Sequence, residues 1–167
     1  MTSTETLTGE RADLLQSLGK HRHFLRFTVR GLTDDQARQR TTVSQLTLGG
    51  LIKHVATVEA AWARFIQGGA ELMESGFGDW EDQHRMNADE TLAGLLADYE
   101  EIARRTDELV AAVDLDSAHP LPVAPWFEPG VSWSARRVLV HIIAETAQHA
   151  GHADIIRESL DGQKSMG

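Results

Sequence analysis

The chain has 167 residues, 41% of them hydrophobic and 25% charged, with a formal charge of −9 and no cysteine. That balance excludes a disordered chain, and an acidic chain with no run of more than two basic residues excludes binding to nucleic acid through its phosphates. Without cysteine there is no disulfide, thiolate metal ligand or catalytic thiol, so a metal must be held by His, Asp or Glu, and thiol chemistry needs a thiol brought in by a ligand.

Leu14, Leu18, His21 and Leu25 recur at three- and four-residue steps, with Leu15 and Phe24 widening the stripe. They predict a first amphipathic helix over residues 8–30, stopped near Gly31. Thr33-Asp-Asp-Gln reads as the cap and first turn of a short helix. A second long helix is expected over 47–67, with a stripe of Leu51, Val58, Ala61, Trp62 and Phe65, ended by Gly68-Gly69. His54 lies three residues after Leu51 and four before Val58, so it faces the core.

Residues 68–86 hold four glycines and scattered acids and read as an irregular connection, with a turn of helix around 71–74. Asn87 followed by Glu90 suggests a capping box for a third helix over 88–113, burying Leu92, Leu95, Leu96, Tyr99, Ile102, Thr106 and Leu109. All four prolines fall between 120 and 129, which predicts an extended crossover whose aromatics, Trp126, Phe127 and Trp133, form a pocket wall. Ser132 or Ser134 caps the last helix, which ends at Asp161-Gly162. The expected architecture is all-α: a four-helix bundle with long connections after the second and third helices, forming a single domain over residues 1–167. No apolar run approaches the roughly 20 residues needed to span a bilayer. The start, MTSTETLTGERAD, is polar and acidic and is not a signal sequence, so a cytoplasmic protein without a membrane partner is expected.

The last helix carries HIIAETAQHAGHAD. At about 100° per residue, Glu145, His149 and His152 fall roughly 40°, 80° and 20° around from His141, so all four share one face. His141 and His149 are about 12 Å apart along the axis, too far to share an ion. The usable pairs are His141/Glu145, Glu145/His149 and His149/His152, and each needs a further ligand from another helix. His54 is the leading candidate; His21, on the stripe of the first helix, is its rival, and spacing does not decide between them. Two imidazoles and a carboxylate suit a divalent transition metal, zinc first and then nickel or iron, with an open position for substrate. A di-iron bundle would need paired Glu-x-x-His motifs, and this chain offers one Glu-x-x-x-His.

The pairing of LGGLIKHVATVEAAW with WSARRVLVHIIAETAQHAGHADIIRESLDG resembles the DinB-like superfamily of four-helix metalloproteins. Within it, the chain resembles the actinobacterial branch related to mycothiol-dependent transferases and to the metal-binding domain of mycothiol-dependent maleylpyruvate isomerase. The resemblance implies a metal held by His54, Glu145 and His149, with Glu145 favouring the mycothiol-dependent comparison because many DinB-like proteins have His there. It implies an S-transferase that activates a low-molecular-weight thiol, mycothiol, as a metal-bound thiolate for attack on an electrophile, in a detoxification role. The isomerase reaction is the lesser expectation, since that enzyme's additional C-terminal domain has no counterpart here. The alternative is a non-catalytic metal-binding stress-response or sensor protein of the same fold.

Around the triad, His152 is a fourth ligand or a hydrogen-bonding support behind His149, and His141 a packing residue. Asp154 and Arg157 are expected to pair at i, i+3, or to hold a substrate carboxylate. Trp62, Trp126 and Trp133 are read as packing, and His23, His84 and His119 as surface residues. The partners expected are a thiol and an electrophile, with the chain a monomer or homodimer.

Overall fold

A computed structural model describes residues 7, 9–74 and 82–165; Gly76, Gly78 and most of the first eight residues lie outside it. It is mostly helical. Helix α1 spans Glu10–Thr28, α2 Asp34–Arg38, α3 Leu48–Glu74, α4 Leu92–Ala112 and α5 Ala135–Asp161, with a single 3₁₀ turn among the described residues at Asp82–His84. No described helix is long and apolar enough to cross a membrane.

The helix ends follow their local chemistry. The Thr33 hydroxyl accepts from the Gln36 amide and the Gln36 side chain accepts from the Thr33 amide, a complete capping box for α2. Ser134 caps α5, accepting from Arg137 at 3.1 Å, and Gly162 closes it in the left-handed conformation at φ 77°. Gly68-Gly69 interrupts α3 without ending it: Gly69, at φ 76°, turns the chain, and a further turn of helix follows to Glu74.

The start of α4 and the crossover also depart from expectation. Helix α4 begins at Leu92, four residues later than the Asn87 signal suggests. The Asn87 side chain is occupied with Asp82, residues 87–90 close a turn, and Thr91 is the working cap, accepting from Gly94 at 3.1 Å. The proline-rich crossover also contains a short antiparallel pair, β1 (Ala118–Pro120) on β2 (Ser132–Ser134), with His119 opposite Trp133. Three-residue strands, one ending in proline, carry too little alternation to be read from sequence.

Helix α5 packs on α1 and α3, and α4 on α3 and α1. One apolar cluster gathers Leu25, Leu51, Ile52, Val55, Ala153 and Ile156; the other gathers Leu18, Phe65, Val110, Val138, Leu139 and Ile142. Buried among these helices is an ion pair. Arg22 of α1 grips the fully buried Glu59 of α3 with two N–H groups, Nε at 3.1 Å from Oε2, and its third reaches Asp107 of α4 at 2.8 Å. Arg157 of α5 is also buried. It donates to the carbonyls of Thr28 and Arg30 at 2.7 and 2.8 Å and pairs with Asp161, not Asp154, which instead accepts from the Ser165 amide. Fully used and 2% exposed, Arg157 has no room for a substrate carboxylate.

Glu59→Ala leaves the buried Arg22 guanidinium with only the half-exposed Asp107 and is expected to cost about 3 kcal/mol, whereas Arg22→Met with Glu59→Leu together recovers most of that loss; urea denaturation of the parent and both variants checks this. Tyr99 is the chain's single tyrosine and is 1% exposed. Burial, then the Glu59 carboxylate, pushes its phenol upward from the ordinary value. Because the folded form binds its proton more tightly than the unfolded form, stability falls as pH rises above about 10. Tyrosinate absorbance is therefore expected to appear only together with loss of helical circular dichroism; a tyrosinate signal in the folded protein at pH 10 would contradict it.

Candidate metal centre

The start of α3 is shaped by what crosses it. A Cβ at Gly50 would run into the His84 carbonyl oxygen, and one at Gly49 into the Met86 sulfur, so two glycines let residues 84–86 lie directly on the first turn. Lys53 holds this segment down, donating to the Arg85 carbonyl at 3.2 Å and pairing with Asp82 at 3.2 Å and Glu90 at 2.8 Å. The consequence lies one turn further on. The His84 ring stacks on His54, centroids 4.0 Å apart and planes 24° from parallel.

His54 faces α5, where Glu145 and His149 lie one turn apart on the near face. One ligand-type atom from each of the three residues lies within 4.8 Å of the others. His149 Nε2 is 3.6 Å from Glu145 Oε2, and the His149 ring meets His54 edge-on at 4.8 Å. Behind it, His149 Nδ1 is 3.3 Å from His152 Nδ1, which holds the ring with Nε2 toward Glu145. His54 is buried at 4% exposure, while Glu145 and His149 are half-buried, so the cluster has a protein side and an open side.

The electrostatics put His54 and Glu145 in ligand form. Burial, followed by the neighbouring His84 and His149, lowers the His54 pKa to about 4, so its imidazole is neutral. Glu145 lies below the usual carboxylate range, chiefly through the close approach of His149 and against the opposing effect of burial, so it is ionised. A neutral imidazole and a carboxylate are the forms that bind a divalent cation. An ion with bonds near 2.1 Å sets tetrahedral ligands roughly 3.4 Å apart, which small side-chain rotations reach from the separations seen. The donor set therefore fits a divalent metal with room for an exogenous ligand.

His141 packs edge-on against Trp62 at 4.9 Å and beside Trp133 at 5.2 Å, with Nε2 3.9 Å from Glu145 Oε1. Trp133 stacks on Trp62 at 5.1 Å and Phe127 abuts both, whereas Trp126 is 74% exposed. His21 lies beside Phe24 on α1 and is not part of the cluster; His23 is exposed. Two histidines read as surface residues are not. His119 is half-buried against Phe65, and its Nε2 bonds the Ile66 carbonyl at 3.2 Å, where the break at Gly68-Gly69 interrupts the helix. His84 is the neighbour of His54 that sequence reasoning missed, and its signal was the glycine pair, which marks a close crossing without saying which segment makes it.

Residues 13–162 match the family model described as Mycothiol-S-transferase. Comparison with curated proteins gave no match. The matched span contains His54, Glu145 and His149, and with 150 residues of agreement along its length the chain belongs to the mycothiol S-transferase family, within the DinB-like group related to mycothiol.

Proposed function

We propose that the protein is a metal-dependent thiol S-transferase: His54, Glu145 and His149 hold a divalent ion, zinc first, and mycothiol is the thiol transferred to an electrophile in detoxification. In this reading the four long helices are a DinB-like bundle forming one domain. The observation that carries it is the convergence of two imidazoles and a carboxylate, from helices some ninety residues apart, in a chain without cysteine. The family match supplies the thiol.

When bound, a divalent ion supplies the Lewis acidity that lets a coordinated thiol lose its proton near neutral pH. The chain's own residues do the rest. Burial and His84 keep His54 unprotonated, and the close approach of His149 keeps Glu145 ionised. His152 fixes the His149 ring through Nδ1, the supporting hydrogen bond that metal-binding histidines require. His141 lies beside Glu145, and Trp62 and Trp133 pack on the His141 ring from the other side. The half-exposed flank of Glu145 and His149 is where thiol and electrophile meet.

The untagged protein is expected to carry about one divalent metal per chain by plasma mass spectrometry, lost in His54→Ala and in His149→Ala. The loaded protein should then transfer mycothiol to monobromobimane. Metal without transfer, with His54→Ala indistinguishable from the parent, would turn the reading toward a sensor. His152→Ala is expected to weaken metal affinity by about 10–100-fold at unchanged stoichiometry; a competitive chelator titration measures it, and a lost equivalent would make His152 a ligand.

A further inference from the structure

A groove of about 980 Å³ has walls that include Arg38, Arg40, Arg85, Ser44, Thr47 and His84. Three of its lining residues are arginines and none is acidic, although the chain carries a formal charge of −9. Arg38 donates to the carbonyls of Asn87 and Glu90, and Arg40 to those of Val43 and Ser44. Carbonyl oxygens orient a guanidinium without neutralising it. Asp35, 3.7 Å from Arg38, is almost fully exposed, so water and salt screen its charge. The groove neighbours the His54–Glu145–His149 cluster through His84, which lines it and stacks on His54. Thr47, which also lines the groove, precedes His54 by seven residues, roughly 10 Å along the helix axis.

We infer that this groove is the subsite for the electrophile and selects electrophiles bearing a carboxylate several bonds from the reacting carbon. The inference rests on the thiol-transfer reading above. The thiol of that reading is a pseudodisaccharide without an acidic group, so the charge met by the arginines belongs to the other substrate. Guanidinium forks match a carboxylate in shape as well as charge, and a local positive wall on an acidic protein draws anions to this mouth. In the reaction the thiolate sulfur forms a bond to the electrophilic carbon while the leaving group departs with its bonding pair, and the thiol proton passes to solvent. The arginines touch only the remote carboxylate and orient the carbon toward the sulfur.

Two measurements test this. Calorimetric titration of metal-stripped protein with 4-methylbenzoate is expected to show saturable binding that its methyl ester lacks. Arg85→Gln should weaken it about tenfold or more, and Arg85→Lys should restore part of it. Equal behaviour of acid and ester, absence of binding, or an unchanged Arg85→Gln would overturn the subsite. In the metal-loaded enzyme, 4-(bromomethyl)benzoate and its methyl ester each alkylate the mycothiol sulfur through the same benzylic carbon, with loss of bromide. The acid-to-ester ratio of kcat/KM is expected to fall about tenfold in Arg85→Gln, and an unchanged ratio would again overturn the subsite. Transfer to neither compound would defeat the transferase reading instead, while the metal-free titration still decides the groove.

Discussion

The buried pair of Arg22 and Glu59 sets the terms for the rest of the molecule. Two charges taken out of water gain little net stability from one another, but neither tolerates losing its partner. The pair therefore acts on register: α3 cannot slide along α1 by a turn without stranding a guanidinium and a carboxylate. Asp107 extends the same constraint to α4. Arg157 repeats the device from α5, docking on the carbonyls at the end of α1. Helix α1 contributes no member of the His54–Glu145–His149 cluster, yet it is the reference against which both helices that do are aligned.

That alignment determines whether a site exists. His54 lies five residues before Glu59, roughly 7.5 Å along α3, and His149 eight residues before Arg157, roughly 12 Å along α5. His54 and His149 are thus each within about two turns of an anchored arginine contact. A one-turn slip of either helix would carry His54 about 5 Å away from Glu145 and His149, beyond what side-chain rotation recovers. Small residues at the crossing, Ala150 and Ala153 on α5 and Ala56 on α3, are buried and permit the close approach. The same packing desolvates His54 and so sets its protonation state, which joins fold to chemistry at one residue.

Much of this was legible in the chain. The 3.6-residue periodicity and the caps at Thr33, Ser134 and Gly162 located the helices, and the interruption of an apolar stripe by His54 marked it as inward-facing. Which histidine would meet α5 was not legible from spacing, since His21 interrupts a similar stripe; the choice depends on which helix lies across from Glu145, and that is tertiary. The start of α4 was misplaced because Asn87 is a good cap in isolation and only the structure shows it engaged with Asp82. Arg22 and Glu59 sit in ordinary helical surroundings thirty-seven residues apart, and nothing local announces that both are buried. His84 was missed for the same reason: its partner is a helix start more than thirty residues earlier.

The distribution of roles between helices and connections follows from rigidity. The three ligand candidates all sit on long helices, whose packing holds them to the tolerance that a metal demands. The walls around them come largely from connections: the segments before α3 and α4 bring the arginines and His84, and the crossover before α5 brings Phe127 and Trp133. Connections tolerate substitution and insertion where helix crossings do not. On the proposed function, a chain built this way would hold its metal site constant while residues 38–47, 84–86 and 121–133 set the electrophile it accepts. It is in those segments that relatives with the same ligands and different substrates should differ.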